Sequence, residues 1–273
     1  MNSEQLRNNL IDALTRKAVI KTSAVAAALR SIPRDHFTPW LSLQEAYADR
    51  AVINPATSEA NISTVSQPTA VAHFLEAFNL KPGQRVLEIG AGSGYQAALI
   101  AHIIGASGHV TTVDIAELLV VKAKQNLQRL GISNVEVVLG DGALGYLPAA
   151  PYDRIVATVG LRELPKLWTQ QLEPGGKIVF PLHVGGEPQQ HVLVSLQREG
   201  GRFAGPGLAA LDMVLLRGPG VSQEETVKRG AAWSGGYAHE LWVQIGFDEV
   251  GPSPKQKFIR RGETTILVEV RPA

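Results

Sequence analysis

Three acids and a run of glycines carry the chemistry most open to reading in this sequence. Glu88, Gly90, Gly92 and Gly94 stand in Val86-Leu87-Glu88-Ile89-Gly90-Ala91-Gly92-Ser93-Gly94-Tyr95, an apolar run that breaks into a turn. Glycine lets a backbone turn sharply and approach a ligand closely. Asp114 ends the next apolar run, His109-Val110-Thr111-Thr112-Val113-Asp114, and Asp141 with Gly142 follows a third, Val135-Glu136-Val137-Val138-Leu139. An acid about 20 residues beyond such a turn suits the two hydroxyls of a ribose, because a carboxylate accepts from both at once. An acid after the third run could accept from an adenine amino group. Plainer roles compete: a tight turn for the glycines, a helix cap for Asp114 and a turn aspartate for Asp141. Three polar positions at three consecutive strand ends favour a ligand, since open α/β sheets bind theirs along that edge. The dinucleotide pattern G-x-G-x-x-G is not met, because counting from Gly90 puts bulky Tyr95 in its last place.

The elements that must position these residues are short β-rich runs alternating with helical ones from Gln84 onward. Strands are expected at 85–90, 109–115, 135–141, 152–160, 177–182 and 191–197, with helices between the earlier ones and a short helix near Leu167. This alternation predicts a doubly wound, Rossmann-like α/β fold with a mostly parallel sheet. Runs such as 155–157 and 178–180 are apolar without alternation, as strands covered on both faces are. Helical spacing marks residues 3–31 and the set Val71, Phe74, Leu75 and Phe78. Residues 32–66 read as irregular, with a short helix around Leu43. The division expected is 1–78 as a helical and loop segment covering the site, 79–217 as the ligand-binding domain, and 218–273 as an appendage ending in a strand, Thr264-Thr265-Ile266-Leu267-Val268-Glu269-Val270.

The spacing E-x-G-x-G-x-G resembles the first motif of class I methyltransferases, where the turn abuts the methionine and ribose parts of S-adenosylmethionine. Further runs narrow the likeness: Pro33-Arg34-Asp35-His36-Phe37-Thr38-Pro39, Ala46-Tyr47-Ala48-Asp49-Arg50, Thr64-Val65-Ser66-Gln67-Pro68, Gly140-Asp141-Gly142 and Pro174-Gly175-Gly176-Lys177. In this order, over roughly residues 20–217, they resemble the protein-L-isoaspartate O-methyltransferases. The resemblance implies S-adenosylmethionine as cofactor, held by Glu88, Gly90, Gly92, Gly94, Asp114, Asp141 and Gly142. It also implies an active-site loop at Thr64-Val65-Ser66, where Ser66 first and Thr64 second would position the acceptor carboxylate. Capping of a helix at Pro68 is the competing role for both hydroxyls. The implied reaction is methylation of an isoaspartyl carboxylate in a protein or peptide, for repair. Two stretches depart from the family pattern, the glycine-free 52–63 and Thr158-Val159-Gly160-Leu161-Arg162. A tail with Leu241-Trp242 is similar to those of homologues that modify ribosomally made peptides. A normal aspartate in a dedicated precursor peptide is therefore an alternative acceptor, and a non-catalytic scaffold that binds the cofactor is a second alternative.

Composition narrows the field from the other side. The formal net charge of +1 gives no reason to expect nucleic acid or a membrane surface as partner. There is no cysteine, so disulfides and thiolate chemistry are excluded. No metal is expected, since no histidine pair has ligand spacing; of the histidines only His239, beside Glu240, invites a test. No apolar run approaches the roughly 18 residues of a membrane span, and the polar start of the chain does not read as a signal peptide. A cytoplasmic protein is expected.

Overall fold

The computed structural model describes residues 1–55, 57, 63–185, 190–211, 241–246, 256–261 and 264–270. His239, with the whole of 212–240, lies outside the described residues. The chain folds as two compact units, Met1–Gly140 and Asp141–Ala273.

The first unit opens with helices α1 (Ser3–Arg16) and α2 (Ser23–Ser31). Asn2 and Gln5 close a capping box on α1, and the Thr22 hydroxyl caps α2. Glu76 fastens the start of α2 from afar, accepting from the N–H groups of Lys21 and Thr22 at 2.8 and 2.9 Å. The stretch expected to be irregular holds more order than its prolines suggest. It contains a 3₁₀ turn at Arg34–Phe37, helix α3 (Leu43–Ala46), and two-residue strands β1 (Val52–Ile53) and β2 (Thr64–Val65), paired antiparallel. Elements this short leave no periodicity to read.

Helix α4 (Pro68–Phe78) begins with proline, whose missing N–H is no loss in a first turn. Its N-cap Gln67 makes no side-chain cap bond. Asp49 does that work instead: its carboxylate accepts from the Thr69 N–H at 2.9 Å and the Thr69 hydroxyl at 2.6 Å. Neither Thr64 nor Ser66 caps α4.

The rest of the first unit is the expected alternation: β3 (Arg85–Ile89), α5 (Tyr95–Ile104), β4 (His109–Asp114), α6 (Glu117–Arg129) and β5 (Val135–Leu139). The three strands pair in parallel in the order β3-β4-β5. After their first residues β3 and β4 are buried almost throughout, which accounts for their unbroken apolar reading.

In the second unit a 3₁₀ turn (Gly142–Leu144) precedes β6 (Tyr152–Ala157), α7 (Lys166–Gln170), β7 (Leu172–Gly185), β8 (Gln190–Glu199) and β9 (Arg202–Leu211). After these come β10 (Leu241–Gly246), β11 (Gln256–Arg261) and β12 (Thr264–Val270). Strands β6 and β7 are parallel; from β7 the pairing is antiparallel, in the order β7-β8-β9-β10-β12-β11. The described part of the expected appendage thus continues this sheet. Strand β7 is longer than its apolar run, because it carries Pro174-Gly175-Gly176 through a break in register between Tyr152 and Arg154 of β6. Strand β9 has no counterpart in the sequence reading. Its Gly205 lies so close to the Ser195 carbonyl that a methyl group there would collide with it, so a residue that reads as a breaker is a requirement of close strand approach.

The fold class is therefore α/β, with β3, β4 and β5 parallel to one another and β6 parallel to β7, as the alternation predicts. Among the described residues no helix is long and apolar enough to cross a membrane.

Candidate active site

The site in the first unit is built on the turn between β3 and α5. Gly90, Gly92 and Gly94 have φ of +98°, +52° and +85°. Alternate left-handed residues of this kind are open to glycine and strained for side chains. Two bonds lock the turn onto β4: Gly90 N–H donates to the Val113 carbonyl at 2.8 Å, and Gly92 N–H donates to Asp114 Oδ2 at 2.9 Å. The other Asp114 oxygen accepts from Ala116 N–H at 3.0 Å, so the acid shapes its own turn rather than serving as N-cap of α6, a place Ala116 holds. Burial pushes the Asp114 pKa above the ordinary carboxylate value, and the backbone N–H groups around it, Gly92 foremost, pull it back down. A carboxylate has about four acceptor sites, so these bonds leave capacity for a ligand hydroxyl.

Glu88 sits beneath the turn, inside β3 and wholly buried. Its Oε2 accepts from the Thr112 hydroxyl at 2.6 Å, across the register pair Glu88–Thr112, while Oε1 has no partner among the described residues. Burial is the main cause that pushes this carboxyl up to about 8; the Thr112 bond opposes it and nearby Asp114 adds to it. At neutral pH Glu88 keeps its proton.

Strand β2 brings the predicted active-site loop to the same turn. A methyl group built on Gly92 would stand 3.6 Å from the Ser63 hydroxyl, next to Thr64. Thr64 and Ser66 are half-buried, and among the described residues neither hydroxyl has a hydrogen-bond partner. The loop is held by its backbone: β2 pairs with β1, and the Val65 carbonyl accepts from Arg34. Below it the Phe37 ring packs on Tyr95 with centroids 5.2 Å apart. The His36 ring nitrogen lies 3.2 Å from the Asn126 carbonyl, and Asn126 donates to the Ser93 carbonyl at 2.9 Å. Ser63, Arg34 and Tyr95 were given no place in the site by the sequence reading, since nothing in their types or spacing marks the contacts they make across the fold.

Asp141 and Gly142 belong to the second unit. Asp141 caps the 3₁₀ turn by accepting from Ala143 N–H at 2.9 Å, and the Gly142 carbonyl accepts from the Trp168 indole at 2.8 Å. In the divergent stretch at 158–162, Leu161 is buried and its backbone bonds to Pro181 and His183 of β7.

The geometry is thus a glycine cradle clipped to a strand-end acid, with Ser63 beside it at the head of a loop whose Thr64 and Ser66 hydroxyls have no partner among the described residues. The sequence pattern of the protein-L-isoaspartate(D-aspartate) O-methyltransferase family matches residues 4–210. The chain belongs to this family. A protein-L-isoaspartate O-methyltransferase of Pyrococcus horikoshii is 41% identical over 192 residues, covering 70% of this chain and 83% of its own. One from Ignicoccus hospitalis is 39% identical over 193 residues, covering 71% of this chain and 88% of its own. A solved protein-L-isoaspartate O-methyltransferase superposes with a TM-score of 0.73 over 97% of this chain and 88% of its own, at 24% identity. A Plasmodium falciparum structure, described as a protein-L-isoaspartate O-methyltransferase in complex with S-adenosyl-L-homocysteine, gives 0.67 over 80% of this chain and 99% of its own, at 21% identity. At such identities these two likenesses concern the fold, and they establish it as Rossmann-like.

The buried proton on Glu88 generates a stability test. Below 4.5 both folded and unfolded chains carry it; between 4.5 and about 8 only the folded chain does. Stability attributable to Glu88 therefore falls by roughly 1 kcal/mol per pH unit across that window, then levels off. Glu88→Gln cannot ionise, so in urea unfolding its stability relative to the parent should rise with pH from 5 to 8. A pH-independent difference would mean that Glu88 is ionised in the fold.

Proposed function

We propose that this protein is an S-adenosylmethionine-dependent carboxyl O-methyltransferase acting on isoaspartyl residues of proteins or peptides. Family membership supports the activity, and the relatives just described are named for it. The observation that carries the site assignment is the meeting of the Ser63–Ser66 loop with the Gly92–Asp114 clip. Neither a normal aspartate in a dedicated precursor peptide nor a non-catalytic scaffold gains comparable support. The expected cytoplasmic location is kept as part of the proposal.

The residues present fit the cofactor. Gly90, Gly92 and Gly94 leave the backbone bare where a ligand must approach, and Asp114 offers charge-assisted acceptance to ribose hydroxyls. Asp141 and Gly142 are assigned to the adenine end. Glu88, fully enclosed and bonded to Thr112, supports the turn from below in this reading. Bound S-adenosylmethionine supplies an electrophilic methyl group, which an acceptor carboxylate oxygen takes.

The chain's own task is then positioning. A carboxyl group with a pKa of roughly 4 is ionised at neutral pH, so no general base is needed. The Ser66 hydroxyl donates to one acceptor oxygen and aims the other, with Thr64 in support. Keeping an already formed nucleophile in line is the kind of contribution that orientation alone can make. In the methyl ester product, the following backbone amide nitrogen attacks the ester carbonyl, its proton is lost, and methanol leaves. The succinimide formed can open to a normal aspartyl bond, which is repair.

Three outcomes are expected. Asp114→Ala weakens S-adenosylmethionine binding by about 1.5–3 kcal/mol in calorimetry, as for loss of charge-assisted hydrogen bonds; unchanged affinity in a folded variant removes Asp114 from the ribose role. Ser66→Ala lowers kcat by roughly 10–100-fold and leaves cofactor affinity nearly intact; equal losses would make Ser66 a structural or cofactor residue. The function itself is tested on one peptide synthesised with either isoaspartate or aspartate. The extra backbone methylene displaces the carboxylate by about 1 Å, enough for a difference on the order of 100-fold, and the isoaspartyl form should be the faster. A faster aspartyl form would overturn the proposed acceptor.

A further inference from the structure

Burying a guanidinium that forms no ion pair with a carboxylate is costly, and Arg34 is 1% exposed, with Asp49 acting on it only through its charge. Among the described residues it enters no ion pair. Burial draws its pKa below the ordinary guanidinium value. Its Nε donates to the Ala46 carbonyl at 2.9 Å and its Nη2 to the Val65 carbonyl at 3.2 Å, while Nη1, equally buried, has no partner among the described residues. Its Cζ stands 5.5 Å from the centroid of the Tyr95 ring, within cation–π range. Three segments therefore meet on one side chain: the end of α3, the middle of the Thr64-Val65-Ser66 run, and the residue after Gly94.

The 3₁₀ turn that carries Arg34 is itself tied to the glycine turn and α6, through Phe37 on Tyr95 and His36 near the Asn126 carbonyl. The Arg34 side chain extends that anchorage to β2. A planar fork can address two carbonyls in a fixed relation, whereas an ammonium group of similar reach is a point donor. The loop has other supports, β1 beside it and Asp49 at the start of α4, so losing the fork should shift the loop without unfolding it.

We propose that Arg34 is a positioning residue for the acceptor loop: by fixing the Val65 carbonyl it sets where Ser66 stands relative to the glycine turn. This rests on the reading of Ser66 as the acceptor-aiming hydroxyl. Arg34 acts through the loop and does not itself touch substrate or cofactor.

The test compares the full-length parent with Arg34→Lys and Arg34→Met. Turnover on the isoaspartyl peptide should fall about tenfold or more in both, with S-adenosylmethionine affinity by calorimetry little changed. Backbone hydrogen exchange should quicken at 46–48 and 64–67 and stay as in the parent in β4 and α6, at 109–129. Retention of charge in the lysine variant should give no rescue. Parent-like turnover and protection in Arg34→Lys would overturn the proposal. So would proportionate loss of turnover, affinity and protection throughout, which would mark Arg34 as a general stabilising residue. Should the methionine variant fail to fold, the lysine variant decides alone. If the parent does not methylate the isoaspartyl peptide, the acceptor reading fails, and local exchange at 64–67 still decides whether Arg34 holds the loop.

Discussion

Gly92 N–H reaches the Asp114 carboxylate at 2.9 Å across 22 residues of sequence, and this bond fixes the glycine turn against the end of β4. Parallel pairing of β3 with β4 sets Ile89 opposite Val113, so the first strand ends in a turn just where the second ends in an acid. Glycine then becomes a necessity, because the chain must reverse through left-handed conformations to present its amide. The acid is oriented before any ligand arrives. A preoriented acceptor needs no reorganisation on binding, which is how fixed dipoles and charges are most effective in a catalytic site.

Around that bond the first unit tolerates buried polar groups of opposite character. Glu88 is held neutral by burial, and Arg34 is held as a cation by carbonyls and an aromatic face. Each has a polar atom without a partner among the described residues. A core chosen for stability alone would exclude both. Their presence beside the glycine turn and the acceptor loop fits the general pattern that unsatisfied polar groups gather where geometry matters more than stability.

The glycine turn, the strand-end acids and the alternation of strands with helices were legible because each rests on a local rule. Left-handed backbone calls for glycine, buried parallel strands read as unbroken apolar runs, and ligands lie at strand ends. What could not be read depends on partners remote in sequence. Asp49 caps a helix from 20 residues away, and no local pattern connects Asp49 to Thr69. Charged side chains ordinarily read as solvent-facing, so the burial of Arg34 is invisible without the three segments that enclose it. Strand β9 was hidden by Gly205, Pro206 and Gly207, residues that punctuate turns in isolation but here let two backbones come close. Ser66 and Thr64 were placed in the loop by family likeness, and the structure adds that Ser63, at the head of that loop, stands beside Gly92.

The antiparallel strands beyond β9 have a bearing on how the molecule avoids its own kind. The family pattern stops at residue 210, one residue before β9 ends at Leu211. Ended there, the sheet would present a ten-residue strand, interrupted only at Pro206, with unpaired backbone groups along its edge, a template on which a second copy could add by edge pairing. Strand β10 pairs with Phe203, Ala204, Gly205 and Pro206 of that strand, β12 follows it, and on this side the last of the described strands is β11, only six residues long. Short outer strands offer little purchase for self-association. Strands β10, β12 and β11 thus act as a selvedge, finishing this side of the sheet in a narrow border.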